Sequence, residues 1–272
     1  MRPKLLGILN ITADSFSDGN RYLDPEAAIA HGRALSADAQ ILDLGAASSN
    51  PDALPVAPEV EIARLAPVVA ALKRDGIALS IDSFAVAVQR WALAQGVAYI
   101  NDIQGFPHPE LYPALAASDA RLIVMHSVQG LGPATRVRVE PAELYGRIVA
   151  FFEARVAALT AAGVARERIV LDPGMGLFLG SHRDASFAVL RRIADLKRAF
   201  DLPVLVSVSR KSFLRRLVGR EVAGIGPATL AAELHAIRQG ADYIRTHAPG
   251  ALKDALLVGE TLDAPETTRN EA

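Results

Sequence analysis

Residues 169–180 read IVLDPGMGLFLG, and the fold turns on how this stretch is read. Ile169, Val170 and Leu171 form a short apolar run that meets a carboxylate, Asp172, and then at once Pro173 and Gly174. A run this short, bounded by Pro and Gly, reads as a buried strand. Asp172 then stands where the strand leaves the sheet, in dry surroundings where an unpaired charge is costly. Taken alone, the carboxylate is equally well explained as the cap of the next turn. Recurrence of the same event along the chain is what gives it weight.

Leu5 to Leu9 ends at Asn10, Ile41-Leu42 at Asp43, and Ile77 to Ile81 at Asp82. Val97 to Ile100 ends at Asn101, and Leu122 to Met125 ends at His126. Pro203 to Val208 leads into Ser209-Arg210-Lys211-Ser212, and Tyr243-Ile244 into Arg245-Thr246-His247. Helical stretches separate these runs. Asp24-Pro25-Glu26 starts one, with Asp as N-cap and Pro at the first position. Gly76, Gly96, Gly163 and Gly240 each close a helix just before the next strand. Strand and helix in strict alternation predict an α/β fold, a single (β/α)8 TIM barrel over residues 1–263, with a polar tail at 264–272. A doubly wound open sheet is the alternative. No G-x-G-x-x-G follows the first strand and no linker interrupts the chain, so the closed barrel is preferred.

Bulk properties exclude several classes of function. A formal net charge of -1 over 272 residues creates no global field for nucleic acid or an acidic membrane. With no Cys, disulfides, thiolate nucleophiles and Cys-ligated zinc are ruled out. The six histidines show no H-x-H or H-E-x-x-H spacing, which argues against zinc. No apolar run approaches ~18 residues, and MRPKLLGILNIT lacks the pattern of a secretory signal. The expected location is the cytoplasm.

In a barrel of this kind the carboxyl ends of all strands converge on one face, where active sites form. The residues there are Asn10, Asp43, Asp82, Asn101, Met125, Asp172, Lys211, Arg245 and His247. Asp43 reads equally well as a carboxylate that only ties down loop amides. Strand alternation turns His126 away from Met125 and makes it a packing residue. The acceptors Asp82, Asn101 and Asp172 lie on the middle strands, the cations Lys211, Arg245 and His247 on the last two. Carboxylates with a carboxamide suit the donor edge of a flat heterocycle. The cations suit an anion such as a diphosphate, and Asn10, beside strand eight in a closed barrel, is placed to meet its magnesium.

These motifs resemble dihydropteroate synthase. ILNITADSFSDG, LDLGAASSNP, SIDSF, YINDIQGF, LDPGMG, SVSRKSF and YIRTH occur in that family's order and spacing across nearly the whole chain. The resemblance implies a TIM-barrel homodimer that joins 6-hydroxymethyl-7,8-dihydropterin diphosphate to p-aminobenzoate. The products are 7,8-dihydropteroate and diphosphate, on the route to folate. It implies that Asp82, Asn101, Met125, Asp172 and Lys211 bind the pterin. Arg245, His247 and Asn10 would bind the diphosphate, with Mg2+ at Asn10, and Lys211, Arg245 and His247 would be catalytic. Phe16, Ser49, Pro51, Phe178 and Ser212 would surround the aminobenzoate.

Two stretches depart from the family's usual pattern. The second loop, usually G-G-E-S-T-R-P, reads GAASSNP at 45–51 and lacks both the Glu and the Arg. The stretch after Asp172-Pro173-Gly174, usually with G-F-G-K, runs on to Gly176-Leu177-Phe178-Leu179-Gly180 without the Lys and about two residues longer. Both departures resemble the sulfonamide-insensitive dihydropteroate synthases of mobile elements. A pterin-binding methyltransferase shares the Asp/Asn cradle but has no need of SRKS and R-T-H. A silent pterin-binding barrel is the third possibility, and it would have no reason to keep Lys211, Arg245 and His247 together.

Overall fold

The computed structural model describes residues 2–12, 24–48 and 52–264. Eight parallel strands form one sheet in the order β6-β5-β4-β3-β2-β1-β8-β7. They are β1 (Lys4–Asn10), β2 (Ile41–Gly45), β3 (Ala78–Asp82), β4 (Tyr99–Asp102), β5 (Arg121–Met125), β6 (Ile169–Asp172), β7 (Leu205–Val206) and β8 (Tyr243–Thr246). A bridge between Leu171 and Val204 joins β6 to β7 and closes the barrel. Leu171 N also donates to Pro203 O at 2.8 Å across that seam. The open-sheet alternative is thereby excluded.

Around the strands run α1 (Pro25–Ser36), α2 (Pro58–Arg74), α3 (Val86–Ala94), α4 (Tyr112–Ala116), α5 (Pro141–Ala161), α6 (Ala185–Leu190), α7 (Ile193–Phe200), α8 (Ser212–Val218), α9 (Gly226–Arg238) and α10 (Pro249–Asp263). Asp24 caps α1 by accepting from Glu26 N at 3.2 Å, with Pro25 in the first turn. Gly76, Gly96, Gly163 and Gly240 all take positive φ where their helices end, as the sequence requires. Strict alternation fails in two connections. After β6 and after β7 the chain makes two helices, α6 with α7 and α8 with α9. The first pair breaks where Arg192 leaves helical geometry (φ -118°, ψ 15°), the second at Gly219 (φ 64°).

Strand limits also shift in ways that matter. β7 is shorter than the expected run from Pro203 to Val208, because Val204 touches β6 only through the single seam bridge. β8 is longer than Tyr243-Ile244 and carries Arg245 and Thr246 within the ladder. Alternation then sends Arg245 into the barrel and Thr246 out towards the helices.

Inside the barrel, Leu6, Ile41, Tyr99, Ile123, Val170, Leu205 and Tyr243 form one apolar cluster. These are the side chains that fill such a barrel in layers. Two residues further along their strands, the same inward parity selects Asp43 after Ile41, Asn101 after Tyr99, Met125 after Ile123, Asp172 after Val170 and Arg245 after Tyr243. The floor of the mouth is therefore apolar and its next layer polar. A much larger apolar cluster between strands and helices holds the shell together.

Candidate active site

Arg245 stands at the centre of the polar layer. Its Nε donates to Asp43 Oδ2, and its Nη2 donates to Asp82 Oδ2 at 2.7 Å. Asp43 Oδ2 also accepts from Asn101 Nδ2 at 3.2 Å. The shear of the barrel makes this possible: Asp43 faces Ile8 on β1, while Asp82 faces Asn101 on β4. Burial alone would lower the pKa of Arg245, but Asp43 and Asp82 outweigh it and hold the guanidinium above its usual range. Asp82 is pushed up to about 7 by burial, against the pull of Arg245 and with repulsion from Asp43.

Asp172 and Lys211 form the other half. Asp172 Oδ1 accepts from Gly174 N at 2.8 Å, so one oxygen is tied to its own turn. Burial raises the Asp172 carboxyl to about 6, opposed by that N–H and by Lys211. The ammonium of Lys211 is lowered to about 8 by burial and by Arg245, against the attraction of Asp172 and Asp82. Two carboxylates and an ammonium with pKa values this close to neutrality change protonation cheaply when a ligand arrives.

Local backbone geometry aims these groups. Gly174 has φ +74°, and a Cβ there would lie 2.4 Å from His126 O, so only glycine lets the turn after Asp172 close. Arg210 takes φ 59°, an uncommon left-handed turn for a side-chain-bearing residue. It reverses the chain between Ser209 and Lys211.

At the cation end, His247 Nδ1 lies 2.9 Å from Ser209 Oγ. Burial and the charges of Arg210, Arg245 and Lys211 hold the ring well below the usual histidine range. Phe178 packs with Ile103, Met125 and Ala134, and Lys211 Nζ lies 5.3 Å from the centre of its ring. The turn Gly176–Leu179 is pinned to its surroundings. Val128 N donates to Phe178 O at 3.0 Å, Ser181 N to Val137 O at 2.7 Å, and Gly176 N to Ser186 Oγ at 2.9 Å.

The chain as a whole has counterparts among known proteins. The model of the family described as pterin binding enzyme matches residues 6–247. Dihydropteroate synthase type-2 of Escherichia coli is 58% identical over 255 residues, covering 93% of this chain and 94% of that one. The chain belongs to the dihydropteroate synthase family. A Yersinia pestis dihydropteroate synthase solved with a sulfonamide drug aligns with TM-score 0.87 and 33% identity over 97% of this chain and 95% of its own. The Xanthomonas albilineans dihydropteroate synthase solved with 4-aminobenzoic acid aligns with TM-score 0.86 and 32% identity over 97% and 94% of the two chains.

Against the residues expected from the resemblance to dihydropteroate synthase, the structure gathers Asp82, Asn101, Met125, Asp172, Lys211, Arg245 and Phe178 around one mouth. Asn10 ends β1 opposite Gly45, whose other neighbour in register is Asp82. Ser212 opens α8 directly after Lys211. Phe16, Ser49 and Pro51 lie outside the described residues. His126 packs outward as alternation requires: its Nδ1 is 3.2 Å from Pro173 O, and Phe151 meets it edge-on.

Asp43 is the residue that strand-end reading undervalued. Among the described residues it ties down no loop amide; it is fully buried and bonded to Arg245 and Asn101. The available signal was parity, since Ile41 and Asp43 share the face that builds the floor.

Proposed function

We propose that this chain is a dihydropteroate synthase, condensing 6-hydroxymethyl-7,8-dihydropterin diphosphate with p-aminobenzoate to give 7,8-dihydropteroate and diphosphate. The observation that carries this is the Asp172–Lys211 and Asp82–Arg245–Asp43 arrangement at the mouth of a barrel 58% identical to a dihydropteroate synthase. Asp172, with one oxygen held by Gly174, accepts from the donor edge of the pterin, joined by Asp82 and Asn101. Met125 packs on the ring, and Lys211 lies beside it. Arg245 and His247 bind the diphosphate. Ser212 takes the aminobenzoate carboxylate, with Phe16, Ser49, Pro51 and Phe178 around that substrate.

The chemistry is dissociative: the bond from the pterin methylene to the diphosphate oxygen breaks first, and the neutral arylamine then attacks the methylene cation. Such a route asks for charge stabilisation of the leaving group more than for a strong base. Arg245 supplies a fixed cation there, and burial keeps His247 a neutral hydrogen-bonding group. No group of three or more metal-binding side chains occurs among the described residues. Magnesium travels with phosphates, keeps its waters and takes one or two protein oxygens, and Asn10 would be its ligand. When bound, the ion neutralises charge on the departing diphosphate.

The enzyme is insensitive to sulfonamides and confers resistance to them. The pinned Leu177-Phe178-Leu179 turn supports this, because bulk just beyond the substrate outline rejects a longer drug and spares the substrate. Of the altered second loop, residues 49–51 lie outside the described residues. The enzyme works in the cytoplasm as a homodimer, with residues 1–263 as its barrel domain and 264–272 as a tail. An apolar groove of about 350 Å3 between α6, α8 and α9, bearing the exposed Leu217, supports a face for the second copy. No described helix is long and apolar enough to cross a membrane.

The deciding assay follows incorporation of labelled p-aminobenzoate into dihydropteroate, with pterin diphosphate and Mg2+, and sulfonamide titrated against the substrate. Turnover with inhibition only at drug far above substrate is expected. Binding of pterin without turnover would leave only a silent barrel.

A further inference from the structure

β8 presents two faces, and the outer one leads away from the mouth into a buried polar path. Thr246 is fully buried, and Glu233 on α9 is 2% exposed. Glu233 lies beside the Thr246 hydroxyl, which favours its charged form, while its Oε1 has no partner among the described residues. A buried carboxylate half satisfied in this way is expensive to ionise. Burial pushes it up to about 7, with only the Thr246 hydroxyl opposing.

From Thr246 the path returns to the mouth. Its Oγ1 lies 3.4 Å from Ser209 Oγ, and Ser209 Oγ lies 2.9 Å from His247 Nδ1. Two backbone donors fix the hydroxyl oxygens: Ala248 N gives to Thr246 Oγ1 at 3.2 Å and His247 N to Ser209 Oγ at 3.1 Å. Each hydroxyl has one proton to give, so the path has two consistent states. With Glu233 ionised, both hydroxyl protons point towards it. Ser209 then offers His247 only an oxygen, and Nδ1 must carry the ring proton. With Glu233 protonated, the donors run the other way. Ser209 gives its proton to Nδ1, and the ring carries its own proton on Nε2.

The two states differ in what they offer an anion. The second presents an N–H, the first a lone pair. A charged imidazolium would serve as well, but burial together with Arg210, Arg245, Lys211 and His31 suppresses it. Glu233 itself borders a cavity of about 590 Å3 whose other charged lining residue is Arg210.

We propose that Glu233 is a positioning residue for the diphosphate end of the site: through Thr246 and Ser209 it keeps His247 in the tautomer that donates from Nε2. This rests on the assignment of His247 to the diphosphate. The test uses the full chain, 15N-labelled and free of ligand, with long-range 1H–15N spectra reporting the His247 tautomer. Wild type and Glu233→Gln, whose amide still donates to Thr246, should both show Nε2–H. Glu233→Leu and Thr246→Val should shift the ring towards Nδ1–H. In steady state those two variants should raise KM for pterin diphosphate roughly tenfold, with KM for aminobenzoate and the affinity for a pterin lacking diphosphate unchanged. Glu233→Gln should rescue the KM. An identical tautomer in all four proteins, or a Gln variant as impaired as the Leu variant, would overturn the proposal. A His247→Ala variant with unchanged KM for pterin diphosphate would instead sink the diphosphate assignment, because the tautomer is measured without ligand.

Discussion

Asp172→Asn should stabilise the ligand-free protein and cripple it as a pterin binder. In the folded chain the carboxyl sits near pKa 6 where an ordinary aspartate lies at 3.8. Between those values the native state holds more proton than the unfolded one, so stability falls as pH rises. Above pH 6 the full penalty is in force, on the order of 3 kcal/mol before relaxation of the surroundings. An amide keeps the bond from Gly174 N at 2.8 Å, since its oxygen accepts as the carboxylate's does, and carries no charge to bury. Against this, Lys211 loses a counterion, which offsets part of the gain. The net expectation is about 1 kcal/mol at pH 8, or a few degrees in Tm, vanishing below about pH 4. Pterin binding moves the other way. With its one oxygen tied to Gly174, the amide offers only N–H to a donor edge, and loss of the charge-assisted pair costs roughly 2–3 kcal/mol, about 30- to 100-fold in affinity. Thermal melts at pH 4 and pH 8 and calorimetry with pterin would measure both. Unchanged pterin affinity would remove Asp172 from the site, and a Tm that falls at pH 8 would refute the burial argument.

Other perturbations probe the remaining parts. Arg245→Ala removes the partner of the buried Asp43 and the half-buried Asp82 carboxylates and should destabilise the fold by about 3–5 kcal/mol, read as a lowered urea midpoint. Arg245→Lys should fold better while weakening diphosphate binding more than binding of a bare pterin, with equal losses pointing to a purely structural role. His247→Ala should likewise weaken diphosphate binding and leave bare pterin nearly untouched, which competition binding with the two ligands would reveal. Phe178→Gly should tighten sulfonamide inhibition by about tenfold, roughly 1.4 kcal/mol, with a much smaller change in KM for aminobenzoate. A mutant that stays equally insensitive would move discrimination to the second loop. Gly174→Ala meets both a positive φ and His126 O at 2.4 Å, and a loss of at least about 1 kcal/mol is expected in denaturant titrations.

Periodicity, punctuation and motif spacing carry the barrel and the family, because each is local. A run such as Ile169-Val170-Leu171 must be buried wherever it goes, and Gly76, Gly96, Gly163 and Gly240 end their helices whatever packs outside them. Strand-end position likewise gathers Asp82, Asn101, Asp172 and Arg245 on one face without any knowledge of their contacts. Tertiary structure alone decides which of these groups pair. Asp43 becomes the partner of Asn101 and Arg245, 58 and 202 residues away, only after the shear of the closed barrel brings β2, β4 and β8 round the same centre. Phe178 faces Lys211 only because β6 and β7 meet at the Leu171–Val204 seam. The path from Glu233 to His247 needs Thr246 inside the β8 ladder, pointing outward, and a strand read as ending at Ile244 conceals it. Hydrophobic burial follows from pattern, whereas hydrogen bonds and ion pairs need particular atoms within about 3 Å of each other, and only the folded chain supplies that.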